Sequence, residues 1–587
     1  MVGVSERPGT AGQNCVRMLD ALGYGGALHL VARSSLNLGG RVAVTSVEAL
    51  PEGLDLAILT LPEAGILPAV EALVERKVGG IVCFAAGFAE MGAAGVAAQQ
   101  RLAELAHRHD IAFAGPNCLG YTNLRDQVAA TFLSLPVPTV ESGAPRVDIL
   151  CQSGGLAGVV QMALEAECVG FSYQVTTGNE AVLGVEDYLP FLIENDRSRA
   201  IVMLVETLRR PREFLRQAAA ARAAGKPIVL LYLGRSEKAR AAAATHTGAM
   251  AGDFATAQAF LRSGDVVLVD TIDELVDTAV LLAHCPRPPR GGVGIVTDSG
   301  GFKGFGIDFC ESIGLPIAPI AEATRERLRT SLPKFIEADN PVDVTAQAVF
   351  DRSLYATSVD ALMRDASVGG VLVTAIAATP EMGLGAATSI ASGRVDNGKP
   401  LVCAIMAGEK PISPDLKPGL AAQGVAFFRS PERALRAMKR TQLYGEALAK
   451  PPRRVSDIVV AAASLPGGAA VLSEIEGKIV LGAAGVPVPA GALVATAAEA
   501  EARAAEIGYP VVLKVQAAGL AHKSDIGGVA ANLRDPQELR DAWATMQGKL
   551  QRAGAALAIE GFLVERMAPR GVEMIVGARR DPIGARR

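Results

Sequence analysis

The sequence predicts a multidomain α/β protein built on parallel sheets, and three observations carry that expectation. The chain's 587 residues exceed what one hydrophobic core organises, and at about 150 residues per domain it divides into roughly four. Short apolar runs recur, each followed by a glycine-containing turn and an Ala/Leu/Glu/Arg-rich stretch with helical spacing, which is the rhythm of βαβ units. The expected strands are Leu54 to Leu61, Gly80 to Phe84, Val147 to Cys151, Ile201 to Val205, Ile228 to Leu233, Val293 to Thr297, Val371 to Ile376 and Leu401 to Ile405. Most have centres free of polar residues, as strands do when helices cover both sheet faces.

The third observation is punctuation. Proline-rich stretches from Leu135 to Pro145, from Cys285 to Arg290 and from Lys450 to Arg454 interrupt the rhythm, and proline continues neither a helix nor a central strand. They set expected units at residues 1–140, 145–285, 291–445 and 465–587. The second and third units each begin with a strand running into Ser-Gly-Gly, at Ser153-Gly154-Gly155 and Ser299-Gly300-Gly301, and so read as related modules.

Composition excludes several classes of function. No stretch approaches the roughly 20 uninterrupted apolar residues of a bilayer span, so no membrane partner is expected. Met1 to Glu6 lacks the basic start and apolar run of a signal peptide, and the expectation is a cytoplasmic protein. Eight cysteines are scattered without a C-x-x-C pair, which suggests neither a zinc site nor a disulfide scaffold. A net charge of −4 with interleaved signs, and a single tryptophan, leave no basic stripe or stacking platform for nucleic acid. Small molecules are the expected partners.

Several segments then carry chemistry. A strand ending in Ser-Gly-Gly before a helix presents backbone N–H groups at a positive helix terminus, which favours phosphate; the plain alternative is a tight strand-to-helix turn. His246, in Ala244-Thr245-His246-Thr247-Gly248-Ala249, is either a loop histidine without a role or a carrier of a phosphoryl group on nitrogen. Glu206 ends an apolar strand and either caps a helix or hydrogen-bonds an imidazole, fixing its tautomer. Lys514 lies on the strand around Val511 to Val515, ahead of the Gly-rich loop from Ala521 to Val529, an arrangement suited to nucleotide phosphates. The alternative for Lys514 is a strand residue with a snorkelling ammonium. The N-terminal glycines from Gly3 to Gly12 do not match G-x-G-x-x-G, which disfavours a nicotinamide dehydrogenase.

Five motifs in order tie these segments together: Gly115-Pro116-Asn117-Cys118-Leu119-Gly120; Ser172-Tyr173 through Thr177-Gly178-Asn179-Glu180; Thr245 to Ala249; Asn340-Pro341-Val342-Asp343-Val344-Thr345; and His522-Lys523-Ser524-Asp525-Ile526-Gly527-Gly528. With them the chain resembles, over nearly its whole length, the nucleoside-diphosphate-forming acyl-CoA synthetases, the superfamily of ADP-forming acetate–CoA ligase and succinyl-CoA synthetase. The resemblance implies a Rossmann-like CoA-binding domain, two flavodoxin-like CoA-ligase domains and an ATP-grasp domain. It implies His246 as the phosphohistidine, Glu206 as its carboxylate partner and His522 as a second phosphoryl carrier. Both Ser-Gly-Gly ends become the phosphate cradle, Gly3, Ser5, Pro8 and Gly9 approach CoA, and Lys514 and Glu565 contact ATP, which is used with Mg²⁺.

Two departures qualify this pattern. Leu30-Val31-Ala32-Arg33 lacks the Asn-Pro usual for CoA contacts, leaving Arg33 to meet a phosphate, and the C-terminus stops where an ATP-grasp domain is about half of normal size. A homo-oligomer, or a partner supplying the rest of the ATP-grasp domain, is therefore expected. The leading function is an ATP-dependent ligase joining a carboxylic acid, acetate-like or aromatic such as ferulate, to CoA. A CoA- or nucleotide-binding regulatory protein with a degenerate ATP-grasp half is the alternative.

Overall fold

Parallel strands with apolar centres form the scaffold of the computed structural model, which describes residues 1–133, 144–239, 254–406, 408, 410–451, 472–517, 523–552, 559–569, 571 and 574. The chain divides into two compact units, one running up to Val455 and the other from Ser456 to Arg579. Among the described residues no helix is long and apolar enough to cross a membrane.

The first unit opens with a three-stranded parallel sheet, β1 (Leu56–Leu59), β2 (Gly80–Cys83) and β3 (Ala112–Ala114), in that order. Parallel bridges from Val2 to Leu59 and Val31 extend it. Helices α1 (Ala11–Leu22), α2 (Ile66–Glu75) and α3 (Ala93–Arg108) accompany it. Leu59, Ile66, Leu73, Ile81 and Phe113 form part of the core between strands and helices.

A seven-stranded sheet follows, built from β4 (Gly120–Asn123), β5 (Val128–Ala130), β6 (Arg146–Cys151), β7 (Gly170–Thr176), β8 (Ala200–Val205), β9 (Ile228–Tyr232) and β10 (Val267–Val269), in the order β10-β9-β8-β6-β7-β4-β5. The strands from β10 to β7 are parallel, and β4 and β5 add antiparallel. Both of these come from the stretch expected to belong to the N-terminal unit. The fully buried β7 would otherwise leave an unpaired edge, and Gly120 to Asn123 supply that pairing opposite Thr176 to Tyr173. Helices α4 (Gly154–Ala166), α5 (Val185–Glu194), α6 (Pro211–Ala224) and α7 (Phe254–Ser263) connect the parallel strands, and α8 (Ile272–His284) follows the last of them.

The next module repeats the pattern with five parallel strands, β11 (Gly292–Thr297), β12 (Val342–Asp343), β13 (Val368–Ile376), β14 (Leu401–Met406) and β15 (Val425–Phe428), in the order β12-β11-β13-β14-β15. Its helices are α9 (Gly300–Ser312), α10 (Glu322–Ser331), α11 (Ser353–Arg364), α12 (Pro380–Ser392), α13 (Leu416–Ala422) and α14 (Pro431–Leu448). The two modules share one core, in which Leu275, Ala279 and Leu282 of α8 pack with Leu435 and Met438 of α14 and with Val202 and Val402 from the two sheets. Arg433 on α14 closes this seam by donating from Nε and Nη2 to the Asp277 carboxylate, both at 2.8 Å. A fork of this kind adds geometric specificity to charge.

The second unit is antiparallel. Strands β16 (Gly491–Val494), β17 (Val511–Ala517), β18 (Val529–Leu533) and β19 (Ile559–Arg566) order as β16-β19-β17-β18, with α15 (Glu474–Ala483), α16 (Ala497–Ile507) and α17 (Pro536–Arg552). Val511, Leu513, Trp543, Leu550 and Val564 belong to its core. Helix α15 fully buries no residue. A capping box between Ser473 and Glu476 starts it, and charge ties it to the sheet. The Glu474 carboxylate accepts from Lys514 Nζ at 2.7 Å on β17, from Lys478 Nζ at 2.8 Å and from Lys523 Nζ at 2.6 Å. Lys478 and Lys514 also pair with Glu565 on β19.

Burial pushes the Glu474 carboxyl up, but hydrogen bonds from the three lysines outweigh it and hold the group well below the usual carboxylate range. The native state therefore binds fewer protons here than the unfolded chain, and stability falls as pH drops below the ordinary glutamate value of about 4.3. Unfolding of this unit, followed through the fluorescence of Trp543, is expected to lose stability on acidification from that point, and Glu474→Gln is expected to flatten the acid limb. The same acid dependence in both proteins would show that this carboxylate does not anchor α15.

Candidate active site

Doubly wound sheets leave room for ligands at the C-terminal ends of their strands. In the first unit the neighbouring strands β6 and β8 pair as far as Cys151 opposite Leu204. Just past that ladder stand Gln152-Ser153-Gly154-Gly155 on one side and Glu206-Thr207 on the other. The register thus brings the first Ser-Gly-Gly segment and Glu206 to adjacent strand ends. Glu206 is 8% exposed, and its backbone N–H donates to Gln152 Oε1 at 2.6 Å.

Helix α4 begins at Gly154, and Ser153 makes no side-chain capping bond to it. Its first-turn N–H groups thus keep the donor-rich, positive character that attracts an anion. The two glycines serve different ends. A Cβ on Gly154 would fall 2.3 Å from Leu119 Cγ, while one on Gly155 would meet nothing within 4 Å. Gly154 permits close packing, and Gly155 leaves the approach open.

The second Ser-Gly-Gly end is built differently. Ser299 Oγ accepts from Phe302 N–H at 3.4 Å, so this helix end satisfies part of itself. A Cβ on Gly300 would lie 3.1 Å from Asp343 Oδ2, and Gly301 follows in the first turn of α9. Asp298 Oδ2, beside it, accepts from Tyr355 OH at 2.8 Å and from Ile376 N–H at 2.9 Å. Burial pushes the Asp298 carboxyl up, and Asp343 adds to the rise. Two acidic groups flank this end, whereas at the first an amide and backbone donors stand beside the buried Glu206.

The turn Thr177-Gly178-Asn179-Glu180 joins the first site to the N-terminal sheet. Gly178 has φ +59°, and a Cβ there would sit 2.5 Å from the Asn117 and Pro116 carbonyl oxygens; only glycine fits. Asn179 N–H donates to Pro116 O and Ala181 N–H to Gly115 O, both at 2.9 Å. Asn117 Nδ2 donates to Asn179 Oδ1 at 3.2 Å, and Asn179 Nδ2 to Gln99 Oε1 at 3.1 Å and to Glu90. Two segments that carried the family resemblance are therefore one packed contact. Glu180, 2% exposed, accepts from Thr177 Oγ1 at 2.9 Å, from Gln152 Nε2 at 3.0 Å and from Arg209 Nε at 3.1 Å.

At the N-terminus, Gly3 has φ +97°, and a Cβ would lie 2.8 Å from Leu61 Cδ2. Gly3 N–H donates to Val31 O at 2.9 Å, which brings Arg33, exposed two residues further on, to the same edge. Ser5 Oγ accepts from Arg7 N–H at 3.1 Å. Pro8 and Gly9 are exposed, with open space at Gly9. This open loop leads into α1.

In the second unit, Lys514 and Glu565 meet as an ion pair within the cluster that also holds Glu474, Lys478 and Lys523. Burial lowers the Lys514 ammonium, and its bonds to Glu474 and Glu565 outweigh that and raise it. It remains a cation at neutral pH. His246 and His522 lie outside the described residues. Among the described residues no group of three or more His, Cys, Asp or Glu is placed to hold a metal ion.

Sequence reasoning assigned no role to Gln152, Glu180, Arg209, Glu474 or Lys478. A signal existed for some of them. Gln152 is the polar residue between an apolar strand and Ser153, and Glu474 and Lys478 are spaced i, i+4 behind the capping box at Ser473, a helix-pair pattern.

Comparison with known proteins agrees with this architecture. Residues 1–123 match a CoA binding domain, residues 144–282 a succinyl-CoA ligase like flavodoxin domain and residues 463–584 an ATP-grasp domain. The chain is 37% identical to a trans-feruloyl-CoA synthase from an unknown prokaryotic organism, over 99% of this chain and 82% of that protein. It is 32% identical to the ADP-forming acetate–CoA ligase I of Archaeoglobus fulgidus, over 99% and 83%. With the ADP-forming 4-hydroxybutyrate–CoA ligase of Nitrosopumilus maritimus it shares 28% identity, over 99% and 83%. Its fold matches that of the dinucleotide-forming acetyl-coenzyme A synthetase 1 of Ca. Korarchaeum cryptofilum, solved with phosphate and ADP, with a TM-score of 0.68 and 25% identity over 76% of this chain and 95% of that one. The chain belongs to the ADP-forming acyl-CoA synthetases, ligases that join a carboxylic acid to coenzyme A at the expense of ATP.

Proposed function

We propose that this ligase activates its acid through a phosphoryl group carried on His246, with Glu206 as the carboxylate that orients the imidazole and His522 as a second carrier. The observation that carries this reading is the buried Glu206 placed beside the open helix end at Ser153-Gly154-Gly155. A carboxylate is a poor electrophile, so its oxygen must first take a phosphoryl group. The phosphorus–nitrogen bond on the imidazole breaks as the phosphorus–oxygen bond of an acyl phosphate forms. The CoA thiolate then attacks the carbonyl carbon, and inorganic phosphate leaves with the electron pair. Backbone donors at the start of α4 suit the phosphoryl oxygens in each of these steps. A moving histidine lets nucleotide and acyl chemistry occupy separate, water-shielded places.

For ATP, used with Mg²⁺, the fitting residues are Lys514 and Glu565, with Lys478 and Lys523 beside them. Three ammoniums share two carboxylates, which leaves an excess positive charge suited to a polyphosphate, and no residue is assigned to the metal. For CoA they are Gly3, Ser5, Pro8 and Gly9, with Arg33 for a phosphate. The eight cysteines stand as thiols, seven of them buried, which supports a reducing, cytoplasmic setting.

The acid we propose is aromatic, of the ferulate type. The 37% identity to trans-feruloyl-CoA synthase, against 32% and 27% for two ADP-forming acetate–CoA ligases, supports it.

His246→Ala is expected to abolish acyl-CoA formation, since none of Thr245, Thr247 and Gly248 offers an imidazole; near-normal turnover in a thioester assay would remove His246 from the mechanism. Glu206→Gln should slow the reaction by about two to four orders of magnitude, and an unchanged rate would make Glu206 a structural cap. In a panel of acids at equal concentration, ferulate should give a higher kcat/KM than acetate. The reverse order would overturn the aromatic assignment.

A further inference from the structure

We propose that Gln152 is a positioning residue for Glu206, and that the Glu180–Arg209 pair fixes the direction of its amide. The proposal rests on the role given to Glu206 above.

Gln152 follows β6 and is 6% exposed. Its amide is fully used. Oε1 accepts from the backbone N–H groups of Glu206 at 2.6 Å and Thr207 at 3.1 Å, while Nε2 donates to Thr207 O at 2.8 Å and to Glu180 Oε1 at 3.0 Å. Only one amide orientation satisfies two N–H groups on one side and a carbonyl and a carboxylate on the other. By bonding both the N–H and the C=O of Thr207, the side chain does what a peptide of a neighbouring strand would do. It continues the β6–β8 ladder past Leu204, where the backbone pairing stops. The stretch it holds is the one that carries the Glu206 carboxylate.

Glu180 supplies the directing charge. Its Oε1 also accepts from Thr177 Oγ1 at 2.9 Å and Val185 N–H at 3.1 Å, and its Oε2 takes Arg209 Nε at 3.1 Å. Arg209 Nη2 in turn donates to Asn179 O at 2.5 Å. A buried carboxylate held on this many donors keeps its place, so the amide of Gln152 cannot rotate without leaving a buried acceptor unmet. Glu206 thereby inherits a fixed backbone before the histidine arrives, and such preorganisation bears on the chemical step more than on substrate affinity.

The test compares kcat and KM for acyl-CoA formation in Q152E, E180Q, Q152E/E180Q, E206Q and Q152E/E206Q, with thermal melting to confirm folding. The carboxylate of Q152E can still accept from both N–H groups, but it cannot donate and it faces the Glu180 carboxylate. Q152E is expected to lower kcat by about 10- to 100-fold, the scale of a small misplacement, with KM for ATP and CoA within about threefold of wild type. Q152E/E180Q should recover part of the Q152E loss, because the second substitution removes the facing negative charge. In the E206Q background Q152E should add little. Should Q152E not fold, Gln152→Met, of similar length and without charge, serves in its place alone and on E206Q. Multiplicative losses in the double variant with E206Q, or the absence of recovery with E180Q, would overturn the positioning role. A wild-type rate in E206Q alongside a slow Q152E would instead sink the role of Glu206, so the two failures are distinguishable.

Discussion

A buried carboxylate must find donors or be neutralised, and the arrangement around the first Ser-Gly-Gly site follows from how Glu180 meets that demand. Its oxygens receive a hydroxyl from Thr177, an amide from Gln152, a backbone N–H from Val185 and a guanidinium from Arg209. Removing one partner of such a group leaves a desolvated charge behind. The turn that presents Glu180 runs through positive φ at Gly178 and at Glu180 itself, a conformation held by the contacts on both sides of it. On one side are Gly115, Pro116 and Asn117 from the N-terminal part of the chain; on the other is Gln152, and through it Glu206.

The same logic separates the two related modules. Both carry a strand, a Ser-Gly-Gly turn and a helix, and both place them at the C-terminal edge of a parallel sheet. In the first, the serine leaves the helix N–H groups uncapped, and the Gln152 amide and the buried Glu206 stand beside them. In the second, the serine caps its own helix and Asp298 and Asp343 stand alongside. Both ends have a carboxylate nearby, and they differ in whether the serine caps its own helix, so the fold repeats while the donors left for an incoming anion differ. The modules are nonetheless one mechanical body, because α8 and α14 fill a common core.

The second unit shows how a site and a fold can draw on the same charges. Helix α15 has no fully buried residue, and Glu474 links it to β17 through Lys514. A nucleotide phosphate would compete for the ammoniums that now hold this helix. On the nucleotide role proposed for Lys514, binding and the docking of α15 would be linked through one set of ion pairs.

The sequence by itself determined the α/β class, the expected strands with apolar centres and the ordered family motifs, because burial on both faces leaves a continuous apolar run and a family's chemistry keeps particular residue types in order. It did not reveal β7, whose Ser172, Gln174 and Thr176 alternate with apolar residues although all are buried. Gln174 is satisfied by the Ala157 carbonyl and Thr176 by that of Gly120, partners that exist only once the chain has folded. Nor did it show that β4 and β5 belong to the second sheet, since pairing with a distant edge leaves no local periodicity. Gln152 drew no role from the sequence for the same reason. Its role depends on Thr207 and Glu180, 55 and 28 residues away in the chain, and only tertiary structure brings such separated donors and acceptors within hydrogen-bonding reach of one another.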